Sequence, residues 1–361
     1  MDNYINLIMI FTIAFVTAFF MTPFVRTLAL KLNAIDIPKD ERRVHRKPIP
    51  RLGGLAILVG FLMALVYYLV VVGMNDDMFN RKIVGLLLGI IVIEFAGVWD
   101  DIKPIRAWTK LLFQIVAAAI VVGFGVRVEF LSNPFVENGI IEFSMPISIL
   151  VSMVWIVGIT NAINFIDGLD GLAAGVATIS AISLLFIAIY LNQVQTIVLT
   201  AALAGATMGF LPFNFNPAKI FMGETGSAFL GFTLGTIAIM GLVKNYTAIA
   251  IIVPLVVLGL PIFDTAFAIL RRIWNKKSPM QADRGHLHHR LVDSGLSQKQ
   301  SVIILYIISA FLGLAGIVLI ETGIWKFTLL IIMIVIFILA GSRSMVDMAH
   351  EEKEGDNNEK N

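Results

Sequence analysis

Cysteine is absent from the 361-residue chain, which excludes disulfides, thiolate nucleophiles and Cys-ligated zinc. Charge is scarce as well: Asp, Glu, Lys and Arg make up 14% of the residues, against about 25% in an average soluble domain. Hydrophobic residues reach 58%, above the soluble average of about 45–50%. They fall in runs near the ~20 residues that cross a bilayer. A cleavable signal is not expected, because residues 4–30 lack a basic leading segment and run too long for a signal core. The formal net charge of +2 says little by itself, and nucleic acid is not an expected partner.

The apolar runs predict an all-α, polytopic integral membrane protein with about eleven transmembrane helices. The spans are read near residues 4–30, 53–73, 82–99, 109–126, 145–160, 171–191, 196–211, 226–243, 246–270, 301–320 and 324–341. Of the 27 Lys and Arg residues, all but Arg81, Lys82, Arg127, Lys244 and Lys326 fall on one side of this arrangement. The positive-inside rule makes that side cytoplasmic, with the N-terminus outside and the C-terminus inside. A membrane crossed many times is the expected location. One membrane domain, 1–341, precedes a polar tail, 342–361, read as disordered. On the outer side, Val126 to Phe130 and Ile140 to Phe143 could pair as a small hairpin.

The unusual polar residues gather on the cytoplasmic side. Asn161, Asn164, Asp167 and Asp170 recur every three residues, with Gly168 and Gly171 among them. Carboxylates at a membrane edge are costly unless something pairs them, so they mark a functional site by default. Such an oxygen-rich cluster suits a hard divalent cation. An acidic first turn of the sixth span would account for one Asp but poorly for both amides. Asp100 and Asp101 end the third span, followed by Lys103, Arg106 and Lys110. Adjacent carboxylates repel unless bases or a metal offset them, and the pair reads equally well as an ordinary polar helix end.

Three more segments join them. Asn214 to Ser227 brackets Glu224 between Gly223 and Gly226 just before a span, where backbone N–H groups could face an anion; alone, the same residues mark a plain cap. His286-Leu287-His288-His289-Arg290 gathers three of the five histidines. Imidazoles there could bind metal, move protons or, when charged, grip phosphate, and phosphate contact is favoured beside a hard-oxygen site. Arg42 to Gly54 is a basic loop with two Pro and a Gly pair, in which Arg46 and Arg51 are the candidate anion contacts. Fixing topology and meeting anionic lipid heads explains that loop as well. Glu94, inside the third span, receives no role.

These segments, in this order on one side of the chain, resemble the polyprenyl-phosphate N-acetylhexosamine-1-phosphate transferases, up to about residue 295. The resemblance implies that undecaprenyl phosphate attacks the β-phosphate of a UDP-sugar. UMP leaves, and a polyprenyl-diphosphate sugar remains in the membrane for a cell-wall polymer such as teichoic acid or a related glycan. It implies Mg²⁺, with Mn²⁺ as the alternative, and a pocket open to the cytoplasm. Asp100 is then the candidate to deprotonate or orient the lipid phosphate. Asp101, Asp167 and Asp170 would hold metal or nucleotide, with Asn161 and Asn164 in support. Lys110 would lie near the diphosphate, and His286, His288, His289 and Arg290 would contact the sugar nucleotide. Glu224 stands where the family usually has an Asp metal ligand, one methylene shorter.

His-Leu-His-His-Arg resembles the branch using UDP-GlcNAc, whereas the UDP-MurNAc-pentapeptide branch typically has three consecutive His. That second branch stays as an alternative. From another class, an ion-coupled transporter would also carry polar groups in its spans, but near the midplane and not at one end. A homodimer is compatible with the reading and not required by it.

Overall fold

The computed structural model describes residues 2–38, 47–73, 77–132, 140–242, 252–274, 285–322 and 328. Twelve α-helices account for almost all of this: α1 (Asp2–Lys31), α2 (Gly54–Tyr67), α3 (Asp77–Ile102), α4 (Ala107–Gly123), α5 (Met145–Ile166), α6 (Leu172–Tyr190), α7 (Val194–Asn214), α8 (Gly223–Leu242), α9 (Ile252–Val257), α10 (Gly259–Trp274), α11 (Leu287–Asp293) and α12 (Gln298–Thr322). Seven are long and apolar enough to cross a membrane: α1, α2 with the π-helical turn Tyr68–Val72 that continues it, α3, α5, α6, α7 and α12. α4 is a shorter apolar helix. An all-α membrane protein is therefore what the chain builds. The expected eleventh span and the tail lie outside the described residues.

Each apolar run becomes a helix because a spanning backbone must satisfy its own N–H and C=O groups. Association between the helices then rests on close packing and interhelical hydrogen bonds, since lipid tails are as apolar as the side chains. α8 shows the consequence. Residues 225–241 are all buried, walled by α2, α3, α5, α6 and α7. With no lipid to face, α8 can carry Thr225, Ser227, Thr233 and Thr236 and glycines that let neighbours approach.

Gly97 of α3 is one such contact: a Cβ there would stand 2.6 Å from the Thr225 Cα of α8. Backbone cannot move aside as a flexible side chain can. Gly97→Ala should therefore cost about 1–3 kcal/mol by overpacking, read as a lower melting temperature of the protein in detergent. An unchanged melting temperature would refute so tight a crossing.

The expected ninth span, 246–270, is described from residue 252 and is broken at Leu258 into α9 and α10. Pro261 has no N–H to return to the Val257 carbonyl four residues earlier, and that carbonyl instead lies 3.4 Å from the Ser180 hydroxyl of α6. A hairpin forms near the expected place, but its first strand lies later than Val126 to Phe130: β3 (Phe130–Ser132) pairs antiparallel with β4 (Ile140–Glu142). In chain order these strands follow a pair that the sequence pattern did not announce: β1 (Ile35–Asp36) against β2 (Ile49–Pro50), with Ile35 opposite Pro50. It fixes Asp36 and Arg51 beside the N-terminus of α2.

Candidate active site

The C-terminal ends of α3, α5 and α7 and the N-terminal ends of α4, α8 and α12 meet at one end of the bundle around a polar pocket of about 380 Å³. Among the described residues, its wall holds six carboxylates, Asp36, Asp100, Asp101, Asp167, Asp170 and Glu224, with the cations Arg51 and Lys110. Asn164 and His289 also line it, with Asn214, Phe221, Ser227 and Gln298. So many acids at one pocket need counter-charge or hydrogen-bond donors, or they are costly.

Asp100 and Asp101 occupy the last turn of α3, which runs past the expected end at residue 99 to Ile102. A helix C-terminus is the negative end of its dipole, so each acid needs a partner. Asp101 finds the opposite dipole: its Oδ1 accepts the Glu224 N–H at 3.0 Å, and its Oδ2 accepts the Thr225 N–H at 3.0 Å and the Thr225 hydroxyl. The helix N-terminus expected to face an anion does so, and the anion is a carboxylate of the protein. Asp100 accepts the Ile105 N–H on Oδ1 at 2.9 Å, and its Oδ2 is 2.8 Å from Lys110 Nζ. Lys110 also reaches Glu224 Oε2 at 3.0 Å. One ammonium thus bridges two carboxylates on different helices.

The Asn/Asp run divides between two local structures. α5 extends to Ile166, beyond its expected end at 160, so Asn161 and Asn164 are helical and Asp167 is the residue that closes the helix. The first-turn reading of these acids is thereby corrected: Asp167 sits at the unfavourable end of α5, and Gly171, at φ +79°, begins α6 only after Asp170. Asn164 Nδ2 donates to Ser227 at 2.9 Å. Asn161, a turn deeper, donates to Gln114 at 2.6 Å and stays outside the pocket wall. Asp170 Oδ2 accepts the Asn216 amide and the Ala218 N–H, both at 3.0 Å. The Asn216 amide also donates to Gln298 at 2.8 Å. Tyr306 of α12 donates its hydroxyl to the Gly171 carbonyl.

Asp167 is left uncompensated. Among the described residues no hydrogen bond or ion pair reaches its carboxylate. Burial, then the negative charges of Asp101 and Glu224, push its carboxyl up to about 7, with Arg51 opposing. Arg51 is itself held by Asp36 at 2.9 Å.

The histidine segment is split in the same way. His289 enters the pocket wall, Arg290 is exposed, and His286 and His288 are buried behind it. Burial, reinforced by His289, pushes the His288 imidazole down to about 3. A cationic grip on phosphate is thus not available to His288. Arg46 lies outside the described residues.

The donor set bears on the implied metal. Among the described residues no group of three acids or imidazoles is arranged to hold an ion, because α8, Lys110 and the 216–218 turn already engage Asp101, Glu224 and Asp170. The site still fits Mg²⁺, which commonly binds through one or two carboxylates plus substrate phosphates. Asp167, without a partner among the described residues, supplies one carboxylate, and Glu224, paired with Lys110, is a second on the same wall.

Sequence reading missed Asp36, Gln298, Tyr306 and Asp264, the last of which contacts His286 and Leu287. Asp264 did carry a signal, being an acid inside an expected span. The others act through contacts that no spacing rule reveals.

Residues 83–242 match glycosyl transferase family 4. The chain is 38% identical, over 93% of its length and 91% of the relative's, to the Bacillus subtilis (strain 168) protein named probable undecaprenyl-phosphate N-acetylglucosaminyl 1-phosphate transferase. It is 33% identical to the decaprenyl-phosphate N-acetylglucosaminephosphotransferase of Mycolicibacterium smegmatis, covering 81% of this chain and 77% of that one. A phospho-N-acetylmuramoyl-pentapeptide-transferase from Caldanaerobacter subterraneus subsp. tengcongensis matches at 29%, over 83% and 92%. Likeness at this level across nearly the whole chain shows that it belongs to glycosyl transferase family 4, among the polyprenyl-phosphate N-acetylhexosamine-1-phosphate transferases.

Proposed function

We propose that the protein transfers N-acetylglucosamine 1-phosphate from UDP-GlcNAc to undecaprenyl phosphate, releasing UMP and leaving undecaprenyl-diphosphate-GlcNAc in the membrane. The observation that carries this reading is the meeting of Asp100, Asp101, Lys110, Asn164, Asp167, Glu224 and His289, from separate elements, on one polar pocket at a membrane end. An oxygen of the lipid phosphate attacks the β-phosphorus, and the bond to the UMP oxygen breaks. The lipid phosphate is already a competent nucleophile, so no covalent enzyme intermediate is needed. Catalysis then rests on positioning and charge compensation.

Lys110 is aimed at the diphosphate by its two acids, and Asp100 serves by holding it. Asp167 would hold Mg²⁺ with Glu224, the ion offsetting charge on the diphosphate when bound. Asn164 and His289 contact the sugar nucleotide, and Arg51 faces its phosphates. UDP-GlcNAc is preferred over UDP-MurNAc-pentapeptide because the histidine segment is His-Leu-His-His and the relatives at 38% and 33% carry N-acetylglucosamine names. The acids lie at helix ends and not at a midplane break, which speaks against a transporter. The same reading has eleven crossings, the pocket and C-terminus cytoplasmic and the N-terminus outside, on the strength of the basic loops. It assigns the lipid product to teichoic acid or related cell-wall glycan synthesis.

The test is UMP release by purified protein in detergent with undecaprenyl phosphate, Mg²⁺ and either UDP-sugar. UMP should appear with UDP-GlcNAc, fall to background on EDTA and return with excess Mg²⁺. Release only with UDP-MurNAc-pentapeptide would move the chain to the other branch, and EDTA-resistant release would remove the metal from the reading.

A further inference from the structure

Asp264, in α10, takes no part in the transfer as described. Its carboxylate is 7% exposed, and both oxygens are engaged. Oδ2 lies 2.8 Å from His286 Nδ1, and Oδ1 accepts the Leu287 N–H at 2.7 Å. One carboxylate therefore orients the ring of His286 and caps the turn that opens α11. A proton on Nδ1 serves that contact, because an ionised carboxylate can only accept.

From His286 the contacts run toward the pocket. Its ring stacks on His288, with centroids 5.7 Å apart and planes 13° from parallel. His288 presses on the turn between α5 and α6, where a Cβ on Gly168 would come within 2.3 Å of its Nε2. Only a residue without a side chain leaves room for that ring. His288 also meets His289, centroids 4.2 Å apart, and His289 lines the pocket. An acid on α10 is thus linked, ring by ring, to the turn that carries Asp167.

We propose that Asp264 is a positioning residue for the sugar-nucleotide side of the reaction. It docks the His286–His289 segment on the Asp167–Asp170 turn, so that His289 enters the pocket in a fixed orientation. The inference rests on the transferase reading for its substrate, but its geometry can be tested without it.

Asp264→Asn separates positioning from simple capping. The amide oxygen can still accept the Leu287 N–H, but the amide nitrogen must donate where the carboxylate accepted, so Nδ1 would have to accept and could no longer carry the proton that serves the contact. In the full-length protein we expect KM for UDP-GlcNAc to rise about tenfold, the scale seen when a group that orients a histidine is lost. KM for undecaprenyl phosphate and the melting temperature should stay unchanged. Unaltered kinetics would reduce Asp264 to a helix cap, and a joint change in both KM values and the melting temperature would make it a general stabiliser; either result overturns the proposal.

The absence of cysteine provides a second readout. In a His289→Cys protein, labelling of the single thiol by a water-soluble maleimide should quicken when Asp264→Ala is added. An unchanged rate overturns the docking whatever the enzyme does. Absence of UMP release by the unaltered protein would instead sink the transferase reading while leaving this labelling test intact.

Discussion

Asp167→Asn should abolish UMP release, lowering kcat by a factor of about 10³ or more, and should at the same time make the protein more resistant to heat. Activity falls because Asp167 is a pocket carboxylate with no hydrogen-bond or ion-pair partner among the described residues, whereas Asp101, Glu224 and Asp170 are already engaged. Stability rises for the same reason. A carboxylate at the C-terminus of α5, facing Asp101 and Glu224, is held in the folded protein against its electrostatic preference.

The pH dependence follows from the direction of the shift. The folded-state value, about 7, lies above the ordinary 3.8. The folded protein therefore binds this proton more tightly than the unfolded chain does. The penalty is absent below about pH 4, grows as pH rises toward 7, and is complete above it. The Asn variant should gain most above pH 7, by about 2–4 °C if solvent in the pocket reduces the penalty to ~1 kcal/mol. Melting curves across pH without divalent cation provide the check. Added Mg²⁺ should raise the melting temperature of the unaltered protein and not that of the variant. A variant that melts earlier at every pH would show that Asp167 has a protein partner after all.

Much of this was legible in the sequence, and the gaps have physical causes. Apolar runs marked the helices because lipid leaves the backbone no other way to satisfy itself. Helix boundaries beside the pocket came out short. A run of amides and acids resembles a loop, yet α5 continues through Asn161 and Asn164 because Gln114 and Ser227 satisfy their amides. The anion-binding face of α8 was legible, but not that Asp101, over a hundred residues earlier, occupies it. The resemblance names Asp101, Asp167, Asp170 and Glu224 as metal ligands, but a sequence does not show which of them also have protein partners, as Asp101, Asp170 and Glu224 do. Asp36 and Arg51 were beyond reach for another reason: the β1–β2 ladder that sets them pairs only two residues with two, too few for an alternating pattern.

Lys110→Met should cost about 10²–10³ in kcat, more than the loss of one phosphate contact. Lys110 stands in the first turns of α4, at the positive end of that helix's dipole, where an ammonium is unfavourable without anions beside it. It has two, Asp100 at 2.8 Å and Glu224 at 3.0 Å, with side chains 9% and 13% exposed. Methionine keeps the stem but removes the charge, leaving two nearly buried acids facing each other beside Asp101. The expected loss of stability is on the order of 2 kcal/mol, mostly from the stranded carboxylates. Lys110→Arg keeps the charge but spreads it over a planar fork that does not match one point between two acids, so it should restore stability better than rate. The decisive comparison is Lys110→Met with and without Glu224→Gln. If Lys110 is counter-ion as well as substrate contact, the second change should recover stability in the Met background while lowering it in the Lys background, a coupling of 0.5–3 kcal/mol in the usual range for groups in contact. Activity should recover in neither, because an amide cannot replace the ammonium at the diphosphate. Strictly additive stabilities would mean that Lys110 answers only to substrate, and the acids would then need another source of positive charge, such as Arg51 or a divalent cation held at Asp167.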